Sequence, residues 1–198
     1  MPRTSERGGP QTRARILQVS NRLFLERGYE SVTVAEIARE AGVSSVTVFN
    51  HFARKEDLFL DRAADAAELL RTTVRDRAPG TDVLTALQQA CSRLVDERHP
   101  LSGVADGSVP FFRTVAESPA LIARARAIAA ELQATLTGEL DGDATLLAAF
   151  FIAGYSTVLV ETARRRIDGE PADTVTTDHR ARLDRLFTAL REGIVPQR

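Results

Sequence analysis

Residues 33–52 constrain this chain more than any other stretch. Thr33-Val34-Ala35-Glu36 has the form of a capping box, in which the Thr33 hydroxyl accepts the Glu36 amide while the Glu36 carboxylate reaches back to the Thr33 amide. Val32 and Ile37 flank it as a hydrophobic staple. Gly42 follows nine residues after Thr33 and stops the helix, because glycine takes the left-handed conformation at little cost. Ser44 then caps a further helix of about Ser45 to His51. Between the two lies Ala41-Gly42-Val43-Ser44: a small residue for close contact, a turn glycine, an apolar plug and a cap. Two short helices joined this tightly are a helix-turn-helix.

The rest of the chain reads as helix too. Ala, Leu, Arg and Glu are abundant and alternating strand-type runs are scarce, so an all-α fold is expected. The polar start with Gly8 and Gly9 predicts a flexible arm over residues 1–9. A first helix runs from near Pro10, with Ile16, Leu17, Ser20, Leu23 and Phe24 on one face, to a cap at Gly28. A fourth helix is predicted to begin at Lys55 and run on through Leu58, Phe59, Leu69 and Leu70 until Pro79-Gly80, linking the two regions. Helical spacing returns over Val83–Val95, the segment Arg98–Pro110 reads as a loop, and further helices are expected at about Phe111–Val115 and Ser118–Leu140, closed by Asp141-Gly142-Asp143. The last two are a helix over 144–167, apolar on nearly every face, and one over 177–193 with Leu183, Leu186, Phe187, Leu190 and Ile194 as a seam. A helix apolar all round needs partners on several sides, which a second copy of the chain supplies by pairing these two helices with their mates. The uncharged stretch from Ala144 to Val160 is shorter than the ~20 residues of a membrane span and carries polar residues, so burial in protein is expected and a membrane partner is not.

Charge divides along the chain. Residues 1–55 carry nine Arg or Lys and five Asp or Glu, an excess of four positive charges in a chain whose total is -1. A basic end on an acidic body suits a protein that touches phosphates with one end only. Cys91 is the sole cysteine and nothing resembles a signal peptide, which together predict a cytoplasmic protein. No nucleophile, base and orienting group recur together, no glycine-rich phosphate loop is present and the histidines lack metal spacing, so no enzyme, cofactor or metal site is expected. Arg164-Arg165-Arg166 ends a helix where cations suit the dipole.

In the major groove of double-stranded DNA, the third helix presents its N-terminal residues to base edges. Ser44, Ser45, Thr47 and Asn50 offer hydrogen-bonding groups, with Asn50 suited to adenine, and the Val46 methyls suit a thymine methyl. Phe49 either packs this helix on the first or lays its ring on the DNA backbone. Lys55, the single lysine, heads the fourth helix as a phosphate anchor; Thr33 and His51 are further phosphate candidates beside their structural roles.

Arg15-Ile16, Leu23-Phe24, Gly28-Tyr29, Val32-Thr33-Val34, Ile37-Ala38, Ala41-Gly42-Val43-Ser44, Thr47, His51-Phe52 and Lys55-Glu56-Asp57-Leu58 stand in the order and spacing of the TetR family of regulators, which the chain resembles over about Arg15 to Leu58. Val46 stands where that family often has glycine, and Phe49 where a tyrosine hydroxyl often meets a phosphate. The resemblance implies a helix-turn-helix domain over 10–55 joined by a linking helix to a C-terminal helical bundle, 56–198, used for dimerisation and ligand binding. It further implies a homodimeric repressor on a palindromic operator, released by a small-molecule effector. For such a ligand, His99, Phe111, Phe112, Arg113, Glu117, Phe150 and Tyr155 are the candidate pocket residues, since pockets between helices are mostly apolar with a few polar groups. The alternative is a helical adaptor that keeps the helix-turn-helix structurally and binds a protein partner.

Overall fold

A computed structural model describes residues 9–140 and 145–193 of the chain. Residues 1–8 of the expected arm, the Asp141-Gly142-Asp143 stretch and Ile194 lie outside the described residues, and Gly9, expected in the arm, opens α1. Those residues form nine α-helices and two short 3-10 turns, with no strand among them: α1 (Gly9–Arg27), α2 (Val34–Glu40), α3 (Ser45–His51), α4 (Ala63–Arg75), α5 (Val83–Asp96), α6 (Ser108–Glu117), α7 (Pro119–Glu139), α8 (Thr145–Ile167) and α9 (Ala172–Glu192). The all-α expectation holds. The chain divides into two compact units, one comprising residues through Asp61 together with Thr114–Arg124, the other Arg62–Arg113 together with residues from Ala125 onward.

In the first unit each helix ends where its sequence directs. Gly28, at φ 81°, closes α1 with its N–H donating to the Phe24 carbonyl at 3.0 Å. Ile16, Leu23 and Phe24 on α1 meet Ile37, Ala38, Val48, Phe52, Leu58 and Phe59 in one core. The fourth helix departs from expectation at its start. Lys55–Leu58 is a 3-10 turn, and the α-helix begins only at Ala63. Leu58 and Phe59 are adjacent and both buried in this core, whereas a straight α-helix would turn them about 100° apart. Late residues complete the unit: Leu121 is fully buried in the same core, Ser118 donates to the Glu30 carboxylate at 2.6 Å, and Arg124 pairs with Asp57 at 2.7 Å.

The second unit is built on α5, α8 and α9. Asp82 caps α5 by accepting the Thr85 amide at 2.9 Å. Its core gathers Leu87, Cys91 and Val95 of α5 with Phe151, Ile152 and Val158 of α8 and Leu183 and Phe187 of α9. Helix α9 lies so close to α8 that a Cβ on Gly154 would sit 2.3 Å from Leu186. Arg165, paired with Glu170 at 2.5 Å and Asp178 at 2.6 Å, closes the turn between them. The loop expected over Arg98–Pro110 is shorter than predicted, because α6 starts at Ser108 and takes Pro110 into its first turn, where the missing N–H costs nothing. Helix α9 starts five residues before Thr177, on Pro171, whose carbonyl accepts the Val175 amide at 3.0 Å.

Helix α8 is not buried all round in the packed unit. Ala148, Phe151, Ile152, Val158 and Thr162 point inward, while Leu146 (61% exposed), Phe150 (56%), Ala153, Thr157 and Val160 (69%) form an outward stripe spaced alternately four and three residues apart. By length and mean hydropathy alone, 1.6 over eighteen residues, α8 is also long and apolar enough to cross a membrane.

Candidate nucleic-acid interface

Helix α3 is held from both ends and from behind. Ser44 Oγ accepts the Thr47 amide at 3.1 Å and lies 2.9 Å from the Thr47 hydroxyl. Gly42, at φ 64°, makes the turn that lets the Val43 amide reach the Ala38 carbonyl at 2.9 Å. Val48 and Phe52, one turn apart, bury the inner face. The outer face therefore falls to Val46, Phe49 and Asn50, at i, i+3 and i+4. Val46 is 68% exposed and Phe49 51%. The packing role open to Phe49 is thus not taken up: the inward positions belong to Val48 and Phe52, and the Phe49 ring points about a quarter-turn away from them. His51 ends the helix half-buried, with its ring 6.5 Å from that of Phe52.

Two of the proposed phosphate contacts are engaged inside the protein. Thr33 Oγ1 donates to the Glu36 carboxylate at 2.8 Å and accepts the Glu36 amide at 3.2 Å, while the Thr33 amide meets the same carboxylate at 2.8 Å. The capping box is complete, and the threonine's only hydroxyl proton is used within it. The Thr33 amide, then Arg27 and the Thr33 hydroxyl, pull the Glu36 carboxyl down to about 2. Lys55 donates from Nζ to the Tyr29 carbonyl at 2.6 Å and sits 4.1 Å from the centroid of the Tyr29 ring. Burial lowers its pKa, against the nearby carboxylates of Glu30, Glu56 and Glu36. It is a strut between the turn that follows α1 and the 55–58 turn, with two donors left for a phosphate.

The free positive charge lies elsewhere. Arg22 pairs with Glu26 and Glu40, Arg27 with Glu36, and Arg124 with Asp57. Arg15, Arg39 and Arg54 have no carboxylate partner among the described residues, and Arg13 lies over the Phe52 ring at 4.8 Å. Sequence reading had not singled out Arg39 or Arg54. Spacing suggests Arg39 pairs with Glu36, one turn back, but Thr33 and Arg27 already hold that carboxylate.

Of the seven candidate pocket residues, His99, Phe112 and Tyr155 come to one turn, at 99–103. His99 caps the Pro100–Ser102 turn by accepting the Leu101 amide at 3.2 Å on Nδ1, and Tyr155 donates to the Leu101 carbonyl at 3.0 Å. Phe112 packs near Gly103, where a Cβ would meet its ring at 3.7 Å. Arg113 belongs to the second unit and Glu117 to the first. Phe111 is partly open, and Phe150 stands on the outer stripe of α8 rather than in a cavity, because the adjacent Phe151 occupies the inward position. An open groove of about 440 Å³ lies along α5, lined by Thr85, Gln88, Gln89, Ser92 and Arg93. Of the remaining titratable groups, Cys91 is pushed up to about 12 by burial, and His179 is pushed down to about 4 by burial and then by Arg180. His179 Nδ1 lies 2.8 Å from the Thr162 hydroxyl. The Arg164–Arg166 run is largely neutralised: Arg164 pairs with Glu161 and Asp168, and Arg165 as above.

Residues 16–61 match the family model described as bacterial regulatory proteins, tetR family. The chain is 41% identical over 59 residues to the HTH-type transcriptional regulator AcrR of Shigella flexneri, covering 30% of this chain and 27% of that protein. It is 38% identical over 65 residues to the HTH-type transcriptional repressor AcnR of Corynebacterium efficiens, covering 33% and 35%. These matches span about a quarter to a third of the relatives' length. The fold is similar to that of Thermus thermophilus FadR, a TetR-family transcriptional repressor solved in complex with lauroyl-CoA, with a TM-score of 0.54 and 24% identity across 94% of this chain and 96% of that one.

Proposed function

From the match of residues 16–61 to the tetR family model, we propose that the chain is a TetR-family repressor that binds a palindromic operator as a homodimer and is released by a small-molecule effector. The observation that carries the DNA-binding part is the outer face of α3. Val46, Phe49 and Asn50 are open to a partner, in a module whose unpaired cations include Arg39 on α2 and Arg54 just after α3. A polyanion that admits a helix and offers base edges meets both features. DNA as partner places the protein in the cytoplasm.

Homodimerisation is supported by the α8 stripe, where uncharged side chains, three of them large and apolar (Leu146, Phe150 and Val160), recur every three or four residues over ~21 Å of helix. A symmetric partner presents the same stripe, and two such molecules on DNA read two half-sites related by their two-fold axis. Repression and effector release are supported by the repressor designations of AcnR and FadR and by the lauroyl-CoA bound to FadR. In this reading the first unit holds the DNA contacts, and the second, with Phe112 and Tyr155 near the 99–103 turn, the dimer contact and the ligand.

The test is selection of sites from a random duplex pool by the full chain, followed by titration of the enriched duplex at several salt concentrations. An inverted repeat bound with log affinity falling by ~0.9 per phosphate neutralised against log salt is the expected result. Failure to enrich any sequence, with weak binding throughout, overturns the operator reading and leaves the protein-binding adaptor.

A further inference from the structure

Resting on the DNA-binding reading above, we propose that α3 selects thymine through its methyl group, with Val46 and Phe49 as the residues that touch it. Val46 is the second residue of α3 and Phe49 lies one turn later on the same face; both are more than half exposed, and neither is among the residues that form or pack against the first unit's core. The N-terminal residues of a recognition helix are those that come nearest the base edges. In the major groove the only apolar group on any base edge is the C5-methyl of thymine. A valine set against guanine or cytosine there covers ring and amino groups that then lose water without a replacement partner, which is unfavourable.

Part of the polar capacity at the start of α3 is drawn into its own cap, while Val46 and Phe49 stand open. The Thr47 hydroxyl is 2.9 Å from Ser44 Oγ, and Ser44 Oγ also accepts the Thr47 amide, so the two hydroxyls share one hydrogen bond within the cap and keep one proton between them for a partner. Ser45 and Asn50 are hydrogen-bonding side chains of this stretch that stand outside the cap. Phe49 carries no hydroxyl for a phosphate, so burial of its ring is the chief interaction it has to offer. Unpaired Arg39 and Arg54 in the same module make a polyanion, rather than an apolar protein surface, the occupant of this face.

The test uses the enriched duplex and a copy in which thymines are replaced one at a time by uracil, which removes the methyl and nothing else from the base. With the unaltered protein, one position per half-site is expected to lose about fourfold in affinity per methyl, the worth of one buried methyl group, and the symmetric double replacement on the order of fifteenfold. Val46→Ser and Phe49→Ala, both at exposed positions and checked for unchanged melting, are expected to bind thymine and uracil duplexes nearly alike. Asn50→Ala is expected to weaken both duplexes and keep their ratio. Equal binding of every uracil duplex by the unaltered protein overturns the inference while operator binding stands. So does a thymine preference that survives both Val46→Ser and Phe49→Ala, since the methyl then acts through DNA shape or another residue. If no duplex is enriched at all, the DNA-binding reading and this inference fall together.

Discussion

Helices α3 and α8 both leave large apolar side chains in the open, in opposite settings. On α3 the open residues are few, Val46 and Phe49, set between Ser45 and Asn50 on a seven-residue helix in a module with unpaired arginines. On α8 they recur along a 23-residue helix with no charged side chain from Thr145 to Val160, and the arginines that follow at 164 and 165 are already paired. Exposure alone therefore does not define a partner. The surroundings do: a small apolar patch with free cations suits a nucleic acid, whose phosphates bring most of the affinity, and a long uncharged seam suits another apolar helix.

The comparison breaks most decisively on α8. Phe150→Glu and Val160→Glu alter exposed positions, so the isolated chain keeps its fold, but in a symmetric pair each places carboxylates at the seam from both copies. Sedimentation is expected to show a monomer, with association weakened by about 3 kcal/mol or more for each uncompensated charge; a dimer that survives either change removes α8 as the interface. The next effect in size concerns what holds the α3 face in place. Leu121→Ala removes a fully buried side chain from the first unit's core and should cost about 2–5 kcal/mol in chemical denaturation, with the loss in that unit. Smaller still is the change of a single phosphate contact. Arg39→Ala or Arg54→Ala should reduce the salt dependence by ~0.9 per contact in each subunit without altering which sequence is enriched; an altered sequence preference would show that these side chains read bases.

The smallest effect is the pH dependence of the cap on α2. The Glu36 carboxyl falls from its ordinary 4.5 to about 2 in the folded chain, so the ionised form is the one favoured by folding. Its contribution is fully present above 4.5 and is lost as the pH falls toward 2. Glu36→Gln should flatten the melting temperature across that window and leave it unchanged in slope near neutrality. If both proteins show the same acid profile, the carboxylate's bonds to Thr33 and Arg27 carry no stability.

Much of the first unit was legible because its signals are local. A cap and a left-handed glycine act within a few residues, and Thr33, Glu36, Gly42 and Ser44 each do what their types dictate. Lys55 was legible as important but not in its bonding, since its partner is a carbonyl 26 residues away. The linking helix was misjudged where Leu58 and Phe59 are both drawn into the core, a tertiary demand that periodicity does not express. Phe150 shows the limit in the second unit: an aromatic residue on an apolar helix reads equally as lining or as outer surface, and only the position of Phe151 decides it. The pocket candidates were chosen by residue type, which does not say which of them share a neighbourhood: His99, Phe112 and Tyr155 come to the 99–103 turn, while Phe150 faces outward.

The junction made by Ser118, Leu121 and Arg124 bears on how the protein is born. The hydrogen bond, core side chain and ion pair that complete the first unit come from residues that follow half the chain, and Arg124 is residue 124 of 198. Leaving the ribosome N-terminus first, residues through Asp61 emerge with the places of Leu121 and Arg124 still unfilled, and the helix-turn-helix waits for more than sixty further residues of synthesis before its last contacts close. A nascent chain is thus kept from presenting a finished α3 face until much of the second unit has also been made.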